Sequence, residues 1–355
     1  MSRSHPLKEL YLARLREFYR QPARIFWVYG FPMILAVCLG YAFQSRPPES
    51  LQVDLVGGPA SAQLEAALNA YNEKARTSGK PTLLLRVEPA ETAMKRLLTG
   101  KTPLVIEPSA SKPLVYHFDP TRPEAVAARA ALDDIIQTQA GRTDPVKTVV
   151  QEVTEPGSRY IDFLIPGLIG TNTMGGGLWG IGFLIVNFRI GKMLKCFVAT
   201  PMPRRDFLMA ILGARLTFLI PDLFVLLSLG HFYFKMPIRG SLGLVVLVEF
   251  VGALSFAGIG LLVGSRAQST EAVSGLMNLV MLPMWIFSGV FFSSERFPGA
   301  IQWLVQALPL TQLLNALRAV ILEGAGLADV LPALLIMAAW AVGTFLIALR
   351  IFRWT

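Results

Sequence analysis

Two carboxylates stand well inside long apolar runs of this 355-residue chain: Asp222, directly after Pro221, and Glu249. A charge near the centre of a bilayer costs about 2.5–3.5 kcal/mol on insertion scales. Each must therefore face protein or water, or carry a proton. Two roles suit such groups. One is an interhelical hydrogen bond to a polar neighbour; the other is the lining of a solute path or a site for cationic solutes. Arg215 lies two turns before Asp222 on the same run, too far along a helix for direct contact. A second polar set, Asn172, Thr173 and Gly176, belongs to Thr171-Asn-Thr-Met-Gly-Gly-Gly177. Small residues there let helices approach closely, and the amide and hydroxyls can bond across helices or face a cavity. A third set, Asn278, Met281 and Trp285, follows i, i+3, i+7 spacing and so shares one helix face. One polar group amid polarisable apolar surface suits the binding of varied amphipathic solutes.

Reactive chemistry is missing by comparison. The chain has no Gly-x-x-x-x-Gly-Lys-[Ser/Thr] loop, no His-Glu-x-x-His and no Gly-x-Ser-x-Gly elbow. His5, His117 and His231 fall in different regions, which disfavours a shared metal site or catalytic dyad. Cys38 and Cys196 give neither a disulfide framework nor metal-ligand spacing. The expectation is a non-enzymatic chain with no bound cofactor or metal.

The elements that carry these residues are membrane spans. Hydrophobic residues make up 53% of the chain, above the usual soluble range of about 45–50%. Spanning takes roughly 20 apolar residues, and six runs qualify: 25–43, 163–188, 207–230, 241–263, 272–292 and 329–349. The net charge of +9 gathers beside them rather than in a nucleic-acid footprint. Lys8, Arg14, Arg16, Arg20 and Arg24 precede the first run. Arg189, Lys192, Lys195, Arg204 and Arg205 separate the second and third, and Arg350 and Arg353 follow the last. The positive-inside rule puts those three places, and both termini, in the cytoplasm. Lys235 and Arg239 go against this topology but are outnumbered. Residues 1–23 read as a basic amphipathic helix in the headgroup plane, ended by Pro22. The first span, 24–44, is retained rather than cleaved as a signal peptide, and Pro32 should kink it.

Residues 45–158 change character. Strand candidates Leu51–Val56, Thr82–Val87, Pro103–Glu107, Pro113–Phe118 and Val146–Val153 alternate with helix candidates Ala60–Arg76, Ala90–Thr99 and Pro123–Gln139. This order reads as a compact α/β domain inserted between the first two spans, outside the membrane. Residues 159–355 hold the other five spans. There the fifth run breaks at Ser288-Gly289, and a Pro309-split apolar stretch follows. Non-helical backbone at membrane depth survives only when protein or a water-filled cavity surrounds it. Residues 294–320 are therefore expected to form a re-entrant element before the last span. The fold class expected is membrane all-α with six transmembrane helices, an N-terminal interfacial helix, the re-entrant element and the inserted α/β domain.

Several stretches resemble ABC-2 type permeases, the membrane subunits of one class of ATP-binding-cassette exporters. They are Ser288-Gly-Val-Phe-Phe292 through Leu308-Pro309 and Arg318, Tyr160-Ile-Asp-Phe-Leu-Ile-Pro-Gly-Leu168, Arg20-Gln-Pro22 with Pro32, and Ala199-Thr-Pro-Met-Pro-Arg-Arg-Asp-Phe207. Gly100-Lys-Thr-Pro-Leu-Val-Ile-Glu-Pro108 and Phe118-Asp-Pro120 are similar to the subgroup with a large domain between the first two spans, which includes multidrug-type exporters. The family's acidic stretch at the start of the cytoplasmic loop is replaced here by Asn187-Phe-Arg-Ile-Gly191.

The resemblance implies a complex of two permease subunits, identical or homologous, and two ATPase subunits that hold ATP and Mg. Loop 189–206, with Arg189, Lys192, Lys195, Thr200, Pro201, Arg204 and Arg205, would contain the helix that receives the ATPase stroke. The implied activity is export of an amphipathic, drug-like or lipid-like solute from the cytoplasm or inner leaflet of a bacterial cytoplasmic membrane. Membrane lipids are expected partners and nucleic acid is not. Two other readings stay open: a secondary transporter, and a mechanotransmitting subunit that passes no solute itself.

Overall fold

The computed structural model describes residues 6–42, 50–58, 61–78, 81–108, 113–142, 159–200 and 203–352. The chain divides into two compact units, one of Met1–Gln44 with Val153–Thr355 and one of Ser45–Glu152.

Among its described residues the smaller unit is a four-stranded sheet with three helices. Its strands are β1 (Leu51–Val56), β2 (Leu83–Glu88), β3 (Leu104–Glu107) and β4 (Val115–Phe118). The spatial order is β2-β1-β3-β4, with β1 parallel to β2 and β3, and β4 antiparallel to β3. β1 and β3 bury three successive residues each, Val53-Asp-Leu55 and Leu104-Val-Ile106, as strands covered on both faces must. One face packs Val53, Leu55, Leu104 and Ile106 against Leu68 of helix Ser61–Ser78 and Leu132 of helix Pro123–Gln139. On the other, Arg96 of helix Ala90–Leu98 reaches the buried Asp54 carboxylate at 2.6 Å. The strand expected at Val146–Val153 lies outside the described residues.

Among its described residues the larger unit holds six helices long and apolar enough to cross a membrane: Pro22–Ala42, Tyr160–Ile190, Arg205–Tyr233, Leu242–Arg266, Thr270–Phe287 and Leu327–Ile351. The chain is thus built as a multi-pass membrane protein, and these spans are numbered one to six below. Helix Pro6–Tyr19 precedes them, as its apolar spacing predicts. It packs on span three through Phe18, which stacks on Phe218 at 4.1 Å, and through Tyr11, bonded to Thr217 Oγ1 at 2.7 Å.

Spans two and four form the core of this unit, and glycine makes their approach possible. A Cβ on Gly260 would stand 3.0 Å from Leu178 Cα, and one on Gly264 would stand 3.2 Å from Gly182 Cα. Close backbone approach of this kind replaces the hydrophobic drive that lipid cannot supply.

Span five ends at Phe287, where Ser288 caps it and Gly289 takes a left-handed φ of 78°. Two helical pieces follow, Gly299–Ala307 and Pro309–Glu323, meeting at 86°. Pro309 opens the second piece, where its missing N–H is no loss. Between Pro309 and Leu317 only Asn315 escapes burial. A bent pair thus stands where the re-entrant element is expected; the same bend fits a broken span or a re-entrant loop, and its second half is enclosed by protein. Arg318 secures the bend: it donates to Gly289 O at 2.7 Å and to Phe163 O at 3.3 Å, and lies 3.5 Å over the Phe163 ring.

Overpacking a tight helix contact costs typically about 1–3 kcal/mol. Gly260→Ala should therefore lower the midpoint of thermal unfolding in detergent. Gly343→Ala, on span six with nothing within 4 Å of its Cβ, should leave it level or raise it. Tryptophan fluorescence during heating reads both, and equal midpoints would refute the tight seam.

Candidate functional site

Pro32 lies in span one and has no N–H to offer the carbonyl of Val28, four residues earlier. Just before it the helix widens into a π turn, Phe26–Gly30. Asn172 of span two fills the gap: its Nδ2 donates to Val28 O at 3.2 Å and to Asp222 Oδ1 of span three at 2.9 Å. One side chain thus ties three spans. The next residue, Thr173, donates to Glu249 Oε2 of span four at 2.6 Å. Both intramembrane acids are therefore held by adjacent residues of span two. The interhelical hydrogen bond open to them in the sequence is present for both. Glu249 Oε1 is buried and has no hydrogen-bond partner among the described residues.

Gly176 serves a purpose that its composition alone hides. The Arg215 guanidinium lies directly against it, in the space a Cβ would occupy. Arg215 donates to Asn172 O at 3.4 Å, while its Nε is buried without a partner. No ion pair joins Arg215 to Asp222; Asn172 stands between them, in keeping with the two turns that separate the charges.

Beside this bridge opens a cavity of about 920 Å³. Its walls come from helix Pro6–Tyr19, from spans one, two and three, and from Met193 of the basic loop. They include Trp27, Trp179, Phe183 and Phe218, together with Arg14, Glu17, Arg24 and Arg215. Trp179 and Phe183 stack at 4.8 Å to form one apolar wall. Arg14 lies 4.4 Å over the Phe188 ring and bonds Glu17 at 2.6 Å. Burial lowers the affinity of its guanidinium for a proton from the ordinary value, and Glu17 opposes that effect. Arginine stays charged throughout. The signal that could have marked this cavity was Arg215, a lone cation in an apolar run, facing a glycine pair on another span.

The third polar set does not join the cavity. Asn278 is exposed on span five, and Trp285 is half-exposed beside Phe291. Met281 turns inward, where its sulfur accepts from Trp179 Nε1 at 2.7 Å. Spans one and five bury only 17% of their most apolar windows inside the chain, against 33–56% for the other four.

The basic loop is short and partly helical, with helix Met193–Val198 at its centre. Leu194 is buried, and Phe197 meets Phe188 and Phe207 at 5.8 and 5.1 Å. Lys192, Lys195 and Thr200 are exposed, and Arg205 is 86% exposed. Pro201 lies outside the described residues. Arg189 is different. It donates to the carbonyls of Gly264 and Ser265 at 2.9 Å each and to that of Ala267, closing the C-terminal end of span four. A cation there meets the free carbonyls and the negative end of the helix dipole.

Residues 23–350 match the family model described as ABC-2 family transporter protein. Among curated proteins, the chain is 28% identical over 225 residues to ABC transporter G family member 20 of Dictyostelium discoideum, covering 61% of this chain and 30% of that protein. It is 26% identical over 129 residues to the linearmycin resistance permease protein LnrN of Bacillus subtilis strain 168, covering 36% of this chain and 33% of LnrN. The matched regions thus span about a third of each relative. The family model, by contrast, runs through both units and all six spans, and the chain belongs to the ABC-2 family of transporter proteins.

Proposed function

We propose that this chain is the permease subunit of an ATP-driven exporter, moving an amphipathic, drug-like or lipid-like solute out of the cytoplasm or inner leaflet. The observation that carries this reading is the cavity of about 920 Å³ between the N-terminal helix and spans one to three. Its size falls within the usual range for small-molecule sites, about 300–1,000 Å³. Its aromatic walls and few fixed charges suit a molecule with one polar end.

In this reading ATP and Mg are bound by a separate ATPase, present in two copies. The loop 189–206 receives it through its exposed cations, and Arg189 passes the motion to span four. The termini and this loop face the cytoplasm of a bacterium, and residues 45–158 form an extracytoplasmic domain. A second permease, identical or homologous, covers the sparsely buried spans one and five. Asn278 then meets a polar partner rather than hydrocarbon, where an unsatisfied amide is costly.

Three measurements test these points. In a background lacking Cys38 and Cys196, Arg76→Cys on the exposed face of helix Ser61–Ser78 should react with an impermeant maleimide in intact spheroplasts. Reaction only after permeabilisation would invert the topology. Charge reversal at Arg204 and Arg205 should cut transport-coupled ATP hydrolysis on the order of tenfold, as lost interfacial charge pairs do, while the protein still inserts. Normal coupling would exclude these two arginines from docking. Finally, Asn278→Cys should crosslink two permease subunits and block export once modified. Unchanged export and no crosslink would remove span five from the interface.

A further inference from the structure

The charges of the cavity do not balance. Three guanidiniums, of Arg14, Arg24 and Arg215, line it against one carboxylate, Glu17. Glu17 lies 2.6 Å from Arg14 and 3.7 Å from Arg24, so it is shared by the pair nearest the N-terminal helix. Asp222 does not line the cavity and is committed to Asn172. Arg215 is left with a single long hydrogen bond to a backbone carbonyl, a buried unpartnered Nε, and no carboxylate in ion-pair reach among the described residues. A cation desolvated in apolar surroundings is unfavourable unless it is paired. Among the described residues no carboxylate contacts it, Asp222 and Glu249 acting only from beyond ion-pair distance, and Gly176 clears the space that lets it stand at the wall.

We propose that the cavity takes an anionic amphiphile: a carboxylate or phosphate headgroup paired with Arg215, with its apolar chain along Trp179, Phe183 and Phe218. The planar guanidinium matches both oxyanions by paired hydrogen bonds. Arg24, on the more exposed side of the cavity, adds a second cation for the approaching headgroup. The ligand class rests on the exporter reading for its meaning in transport, but not for the binding itself. It also reverses the alternative in which the intramembrane acids select cations, since the acid nearest the cavity is tied to span two and the free charge is positive.

The test uses the full chain in nanodiscs of neutral lipid, with spin-labelled stearic acid, its methyl ester and the matching amine as probes. The immobilised spectral component should saturate with the acid. The ester and the amine should bind at least about tenfold more weakly, the scale of a lost hydrogen bond to a charged group. Arg215→Gln should weaken the acid by a similar factor, Arg215→Lys, which keeps the charge but loses the paired hydrogen bonds, should fall between the two, and Arg350→Gln at the far end of span six should change nothing. If Arg215→Gln fails to fold, Arg24→Gln should still give a smaller loss. Excess inorganic phosphate should not displace the probe. Equal binding of ester or amine, an unaltered Arg215→Gln, or displacement by phosphate alone would each overturn the proposal. Export is scored separately, in vesicles with the ATPase. Selective binding without export of any amphiphile would sink the exporter reading and leave the ligand class intact. Equal export of acid, ester and amine would do the reverse.

Discussion

Backbone that leaves the helical path inside a membrane must find its hydrogen bonds within the protein. Three departures organise the larger unit, and each is answered by one side chain from another segment. At the break after span five, Arg318 binds the carbonyls of Gly289 and Phe163. Where Pro32 interrupts span one, Asn172 takes the Val28 carbonyl. At the end of span four, Arg189 covers three carbonyls at once. The interruptions are therefore the joints at which separate spans are fastened. The candidate cavity lies beside the second of them.

That arrangement explains why span two is central. It meets span four along a glycine seam, span three through Asn172, and the bent element through Phe163 and Gly170, whose hypothetical Cβ would stand 3.5–3.6 Å from Leu313 and Leu310. A helix with so many small residues has little side-chain surface to bury. It gains its place by close backbone contact and by polar bonds that lipid cannot replace. Spans one and five, with larger residues turned outward, lack this enclosure and offer the surface on which another membrane helix can pack.

Much of this was legible in the sequence. Six apolar runs gave six spans, because length and hydropathy act locally and lipid leaves few alternatives. The break at Ser288-Gly289 was readable since Gly289 adopts the left-handed backbone that glycine tolerates. The strands Leu51–Val56, Leu83–Glu88 and Leu104–Glu107 followed from short apolar runs between turns. The site was less accessible. Asn172 and Thr173 stood out as polar groups, but which acid each would meet depends on the rotation of three helices about their axes, which no local pattern records. Arg189 looked like one of five equivalent loop cations until the end of span four came to lie beside it. Arg14 and Arg24 read as surface charge, and only the fold brings them to the cavity that also holds Arg215.

The bridge at Asn172 and Thr173 has a consequence for biogenesis. Span two leaves the ribosome before spans three and four, so its amide and hydroxyl enter the membrane while Asp222 and Glu249 are not yet made. Of the two partners of the Asn172 amide, only the Val28 carbonyl on span one precedes it in the chain. The two acids then arrive in turn, each carrying its own insertion penalty, and each finds its partner waiting on span two. The order of residues along the chain thus sets the order in which these groups are synthesised. The inexpensive polar groups go in first, and the costly carboxylates follow into an environment prepared to hold them.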